Sequence, residues 1–198
     1  NTLIGGAAVD ALSGGAGNDT LDGAAGNDVM TGGIGDDIYM VGSAGDTTAE
    51  LASEGIDEVR TTVASWILAD NVENLNYLGA VAFTGTGNAL DNVITGGSAA
   101  DVLNGGAGND TLDGAGGVDK LTGGTGDDIY IVGSAGETTT EGANEGIDEV
   151  RVTGSILTWT LAANVEKLTY TGTGNFIGNG NLDGNIITGG IGNDTLDG

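Results

Sequence analysis

Over the first forty residues a large apolar side chain returns at every ninth position: Leu12, Leu21, Met30 and Tyr39. The same spacing resumes at Leu103, Leu112, Leu121 and Tyr130, and Leu196 falls on it near the carboxy terminus. An apolar residue every nine positions fits neither an amphipathic helix nor a long alternating strand. It fits a coil in which a six-residue turn feeds a three-residue strand, two units making one rung of 18 residues. Gly14-Gly15-Ala16-Gly17-Asn18-Asp19-Thr20-Leu21-Asp22 spells the unit in full, with glycine at positions one, two and four, aspartate at six and the apolar residue at eight. The pattern predicts an all-β chain, a right-handed parallel β-roll or β-helix solenoid. No substantial helix is expected, because no stretch has both the length and the propensity.

A longer period of about 91 residues is laid over the short one. Gly55-Ile56-Asp57-Glu58-Val59-Arg60 returns as Gly146-Ile147-Asp148-Glu149-Val150-Arg151, and Asn71-Val72-Glu73 as Asn164-Val165-Glu166, now 93 residues on. Trp66 answers to Trp159 and Leu68 to Leu161. Phe83-Thr84-Gly85-Thr86-Gly87-Asn88 is spelled like Tyr170-Thr171-Gly172-Thr173-Gly174-Asn175 and is read as its counterpart. Residues 1–91 are therefore expected to form one module, a nonapeptide array over 5–49 followed by a degenerate solenoid over 50–91. Residues 92–184 repeat it, with array 92–140 and degenerate stretch 141–184, and 185–198 open a third array. The chain begins and stops in mid-pattern, and is expected to be a piece of a longer polypeptide.

Charge changes the picture next. The 198 residues carry 29 acids against four cations, a formal net charge of −25. No basic face is available for nucleic acid or for an anionic membrane surface, and no apolar run approaches a membrane span. The 41 glycines and few aromatics would by themselves suggest disorder. Periodicity overrides that reading only if something neutralises the acids. In a stack of such rungs the position-six carboxylates repeat at strand spacing, about 4.8 Å. At an effective dielectric near 20 each neighbouring pair repels by roughly 3 kcal/mol.

A cation between the turns resolves the conflict. The candidate ligands are the thirteen acids in register: Asp10, Asp19, Asp28, Asp37, Asp46 and Asp57, then Asp101, Asp110, Asp119, Asp128, Glu137 and Asp148, and finally Asp194. Glycine-rich turns can aim carbonyls into the same concavity, and those of Gly14, Ala16, Gly32, Ile34, Gly105, Ala107, Gly123 and Thr125 are the candidates. Asp19 with Asp37 and Asp110 with Asp128 are the best-spelled pairs, followed by Asp28 with Asp46 and Asp119 with Glu137. Asp10 and Asp101 follow turns with Ala8 and Ala99 where position four is otherwise glycine, so weaker sites are expected there. With neither His nor Cys in the chain, zinc lacks its usual ligands. Mg²⁺ demands near-octahedral geometry, whereas Ca²⁺ accepts six to eight oxygens at loose angles. Several Ca²⁺ ions are the expected cofactor.

The nonapeptide resembles the repeats-in-toxin (RTX) calcium-binding motif of long, multi-module secreted proteins, most clearly at 14–40, 105–131 and 189–197, and Asn71-Val72-Glu73-Asn74-Leu75 is similar to a segment common in that family. The resemblance implies a Ca²⁺-bound β-roll, export from a Gram-negative cell through a type I channel and folding in external calcium.

A nucleophile–histidine arrangement is excluded by the absence of histidine, and the periodic carboxylates suit turns better than a glycosidase cleft; no catalytic constellation is expected. Trp66 and Trp159 are expected to fill wider parts of the core, and Glu73 and Glu166 stay open between solvation and an extra ion. Two roles remain. One is a Ca²⁺-stiffened scaffold or adhesive segment in a stalk, surface layer or fibre; the 91-residue super-repeat favours it. The other is the carboxy-terminal calcium-binding secretion and folding domain of a secreted hydrolase or toxin. No polar cap is visible at either end, so self-association end to end or side by side belongs with the first.

Overall fold

Register is what the glycine-rich turns enforce. A computed structural model describes residues 1–198. It contains 22 short strands and no helix, in keeping with the sequence pattern. Every pairing between them is parallel. Alternate strands build one uninterrupted face of eleven, from Thr2–Ile4 to Ile186–Thr188. Eleven strands about 4.8 Å apart make a rod roughly 50 Å long. Leu3, Leu21 and Tyr39 follow one another up this face, 18 residues apart, with Thr20 beside Ile38 and Asp22 beside Met40.

The opposite face is broken into three sheets. Ala11–Ala16, Val29–Ile34 and Thr47–Ala49 form the first, five strands from Ser65–Ile67 to Thr138–Thr140 the second, and Thr158–Thr160, Ile177–Asn179 and Thr195–Asp197 the third. Each break follows a position where the coil spends extra residues, between Glu50 and Asp57 and between Glu141 and Asp148. Just beyond each break stands an indole, Trp66 or Trp159. Trp66 is buried in the core and lines a cavity of about 380 Å³ with Ala44, Asp46 and Thr48. Trp159 is half-buried against the core, and neither indole N–H finds a partner.

The core is one column of 26 apolar side chains. The position-eight residues of both arrays are buried within it, Tyr39 and Tyr130 completely. Leu196, in the last strand Thr195–Asp197, is 43% exposed. Several array strands also run longer than three residues. In Ala11–Ala16 and Val29–Ile34 the turn itself keeps pairing, Gly15 beside Gly33 and Ala16 beside Ile34, because glycines at φ 97° and 101° let two turns nest.

The fold also corrects one alignment. Phe83 corresponds to Phe176, not to Tyr170. Phe83 stacks on Tyr77 at 4.3 Å between ring centroids, and Phe176 on Tyr170 at 4.4 Å. The shared Thr-Gly-Thr-Gly-Asn spelling is therefore a coincidence of strand-and-bend chemistry. Packing sets the register by the aromatic pair.

Candidate metal centre

Both flanks of the coil carry a column of position-six residues, and one hydrogen bond defines the column. The backbone N–H of a position-six residue donates to Oδ1 of the aspartate one rung further on. Asp10 donates to Asp28 (2.8 Å), Asp19 to Asp37 (2.6 Å), Asp28 to Asp46 (2.9 Å) and Asp37 to Asp57 (2.8 Å). The second module repeats it, with Asp101 to Asp119 (2.8 Å), Asp110 to Asp128 (2.7 Å) and Asp128 to Asp148 (2.8 Å). The pairs Asp19 with Asp37 and Asp110 with Asp128 are thus neighbours on one flank, as the spacing of 18 places them.

The second oxygen tells the turns apart. Oδ2 of Asp19, Asp28, Asp37, Asp57, Asp110, Asp119, Asp128 and Asp148 is buried without a hydrogen-bond partner. In Asp10 and Asp101 it accepts the N–H of Gly6 and Gly97 at 2.6 Å. In Asp46 it accepts those of Gly42 and Ser43, and the Glu137 carboxylate accepts those of Gly133 and Ser134. Asp194 is only half-buried, its Oδ1 taking the N–H of Phe176.

Position four separates the two groups. Alanine stands there in the turns of Asp10, Asp46, Asp101 and Glu137 (Ala8, Ala44, Ala99 and Ala135). The nonapeptide turns that leave Oδ2 free carry Gly17, Gly26, Gly35, Gly108, Gly117 or Gly126, each at φ between 97° and 147°. That region is closed to alanine at ordinary cost. Without it the turn bends so that its own amides cap the carboxylate.

Position-one glycines line the same spaces. A Cβ on Gly14 would lie 2.6 Å from Asp19 Oδ2 and 2.8 Å from the carbonyl oxygen of Gly32. So a carboxylate oxygen and the next rung's carbonyl converge where a side chain would otherwise sit. The carbonyls of Ile34 and Thr125 accept the amides of Gly17 and Gly108, at 2.6 and 2.8 Å, which leaves one lone pair on each for a further contact.

Electrostatics show what the arrangement lacks. Burial pushes the carboxyl groups of Asp57 and Asp110 up to about 7 and that of Asp128 up to about 6, and the neighbouring acids add to each rise. Burial likewise raises Asp37, Asp119 and Asp148. Glu137 and Glu141 rise to about 7 and about 8. Of the four cationic side chains, Arg60 and Arg151 are taken by Glu58 and Glu149 on the outer surface. Buried, unpartnered, all-oxygen sites of this charge fit a hard cation with irregular coordination, which is the preference of Ca²⁺; thiolate and imidazole metals have no ligand here.

Two residues that frame-by-frame reading passes over are Glu50 and Glu141. They stand at position one, one rung on from Gly32 and Gly123. Each is buried and bonded to a tyrosine hydroxyl, Tyr39 or Tyr130. Their ligand atoms lie within 4.8 Å of those of Asp37 and Asp57 and of Asp128 and Asp148, respectively. An acid at position one, recurring 91 residues later, was the available signal. Glu73 and Glu166 prolong one column, each accepting the N–H of the preceding aspartate, Asp57 or Asp148.

These features accord with the comparisons. A family model described as RTX calcium-binding nonapeptide repeat (4 copies) matches residues 4–39 and 86–121. The chain is also similar to the endo-1,3-1,4-beta-glycanase ExsH of Rhizobium meliloti (strain 1021), 43% identical over 70 residues. That likeness takes in 35% of this chain and spans only 14% of the glycanase. No helix is long and apolar enough to cross a membrane, and the fold is a repeat solenoid. Residues 4–39 and 86–121 thus match RTX calcium-binding nonapeptide repeats, and the chain winds into a parallel β-solenoid.

Proposed function

We propose that the chain is a Ca²⁺-stiffened structural or adhesive segment of a secreted or cell-surface bacterial protein, folding on calcium after export. One observation carries the reading: eight buried aspartate oxygens without partners stand in two columns at rung spacing. In it, Asp19, Asp28, Asp37, Asp57, Asp110, Asp119, Asp128 and Asp148 are the principal ligands, helped by turn carbonyls such as that of Gly32. Asp10, Asp46, Asp101, Glu137 and Asp194 hold ions weakly or only after their turns open. The two arrays, each followed by a degenerate stretch, serve as modules of a rod.

The test is a calcium titration followed by circular dichroism. Metal-free protein should lose most of its β signal, and Ca²⁺ at about 10⁻⁴ to 10⁻³ M, the range of extracellular modules, should restore it cooperatively. Mg²⁺ at the same level should not. A fully ordered metal-free protein would refute the proposal.

The likeness to a glycanase favours a second reading, in which the chain is the calcium-binding part of a secreted hydrolase. A catalytic domain in the same polypeptide, found by isolating the intact protein, would decide for it.

A further inference from the structure

In the gap below Gly32 one ligand differs from its counterpart one rung earlier. Around Gly14 the space is bounded by Asp19 Oδ2 and the Gly32 carbonyl oxygen. Around Gly32 it is bounded by Asp37 Oδ2, Glu50 Oε1 and the Tyr39 hydroxyl. The side chain of Glu50 has come in where the first gap offers a neutral backbone carbonyl. The second module repeats the exchange: Gly123 faces Asp128 Oδ2, Glu141 Oε1 and the Tyr130 hydroxyl.

The tyrosine fixes the glutamate. Tyr39 Oη accepts the N–H of Gly32 at 2.7 Å, so its own proton is free to go to Glu50. Tyr130 does the same between Gly123 and Glu141. Meanwhile Oδ2 of Asp37 and Asp57, Oδ2 of Asp128 and Asp148, and Oε2 of Glu141 are all buried without partners. Glu50 and Glu141 are themselves more than nine-tenths buried, at 7% and 8% exposure. A loosely placed surface acid would show none of this.

We propose that Glu50 and Glu141 close a second class of cation site, one at the end of each array, in which three carboxylates hold the ion: Asp37, Glu50 and Asp57, and Asp128, Glu141 and Asp148. Tyr39 and Tyr130 are positioning residues. This rests on the reading that the position-six aspartates hold Ca²⁺, and adds that the array ends bind it first. Ligand charge tunes oxygen-cage affinity over orders of magnitude, so these two sites should bind roughly tenfold or more tighter than the rest.

Terbium replaces calcium and reports a tyrosine beside it. Titrated into the metal-free whole chain with excitation at aromatic wavelengths, Tb³⁺ emission should saturate at about two equivalents, ahead of a weaker class detected calorimetrically. Glu50→Gln with Glu141→Gln should abolish the tight class while Ca²⁺ at higher concentration still restores the β signal. Tyr39→Phe with Tyr130→Phe should keep two tight equivalents but lose most sensitised emission. A single class in the wild type, or a tight class that survives the glutamine pair, would overturn the proposal while leaving the calcium solenoid intact. No calcium-induced folding at all would instead sink the underlying reading. Should the glutamine pair fail to fold, Glu50→Asp with Glu141→Asp decides: the shortened carboxylates must weaken the tight class while the weaker class is unchanged, and tight binding of wild-type strength refutes the assignment.

Discussion

Rungs of the arrays and rungs of the degenerate stretches face the same difficulty and solve it with different chemistry. Each must satisfy turn carbonyls that point inward along the flank. In the array, Asp19 or Asp110 stands there, an acceptor among acceptors, with its Oδ2 unpartnered. One rung before Asp110, the same place belongs to Asn92, whose N–H donates to Asp110 Oδ1 at 2.7 Å. The Asn92 amide NH₂ donates to the carbonyls of Val72 (3.3 Å) and Glu73 (3.1 Å), and its Oδ1 accepts from Asn88 N–H at 2.7 Å. Asn88 adds two donations, to Ala69 and Val72, both at 2.7 Å. Asn181 and Asn185 rebuild this lacing in the second module. An amide carries its own donors; a carboxylate has none and must borrow a cation. On the opposite flank of the same stretch Phe83 and Phe176 replace the position-six acid altogether, backed by their stacked tyrosines.

The comparison breaks most visibly on removing calcium. Chelation should strip hydrogen-exchange protection from the array strands Thr20–Asp22 and Thr111–Asp113 by orders of magnitude, while Asn74–Tyr77 and Lys167–Tyr170 lose it last. Uniform loss along the solenoid would mean that the amide lacing has no independent stability.

A single atom exchange should convert one kind of rung into the other. Asn92 is 1% exposed, and Asn92→Asp replaces its donations to Val72, Glu73 and Asn88 with an unpaired buried charge. At the lowest calcium that keeps the wild type folded, the expected cost is about 3–5 kcal/mol, most of it recovered at saturating Ca²⁺, because the new rung resembles that of Asp110. A denaturant series at both calcium levels checks this; equal destabilisation at low and at saturating calcium would show that the asparagine place is no latent metal site.

Acid should act on the rungs that carry the buried acids. In the metal-free protein the buried acids have folded values raised to about 6 for Asp128, about 7 for Asp57, Asp110 and Glu137, and about 8 for Glu141, by burial first. Their ordinary values are near 4, so between about pH 4 and 8 the folded state binds more protons than the unfolded one. Stability in chelator must therefore rise as pH falls through that window, by a few kcal/mol rather than the full sum, since the stacked acids titrate together. With Ca²⁺ present the sign reverses, because protons displace the ion. Circular dichroism from pH 8 to 4 in chelator should show β signal returning as pH falls, and a signal that fell further would expose the error.

How much of this was legible beforehand follows the same division. Leu21, Leu112 and the buried place of Asp19 were readable because a strict period of nine ties turn, acid and core residue together. The residues that leave the period were not. Glu50 and Glu141 occupy a glycine position just before the coil spends its extra residues, so the frame that would flag them is about to slip. Phe83 stands in a ligand column, where only the stack on Tyr77 explains it. The asparagine lacing joins Asn92 to carbonyls 19 and 20 residues back, a span that composition does not mark.

The smallest change proposed tests position four. Ala99 precedes Asp101, and there the Oδ2 is capped by Gly97 N–H at 2.6 Å, whereas Gly117 at φ 131° precedes Asp119 with Oδ2 free. Ala99→Gly opens the positive-φ region to this turn at an entropic cost of about 0.5–1 kcal/mol. At the lowest calcium that keeps both folded, the variant should therefore melt slightly lower than the wild type. In calcium it should bind one further ion, because Asp101 then presents the same unpartnered oxygen as Asp119. Calorimetric stoichiometry measures the gain directly. An unchanged ion count with Ala99→Gly would mean that backbone handedness at position four does not decide which carboxylates stay available, and that the capping amide of Gly97 wins on its own strength.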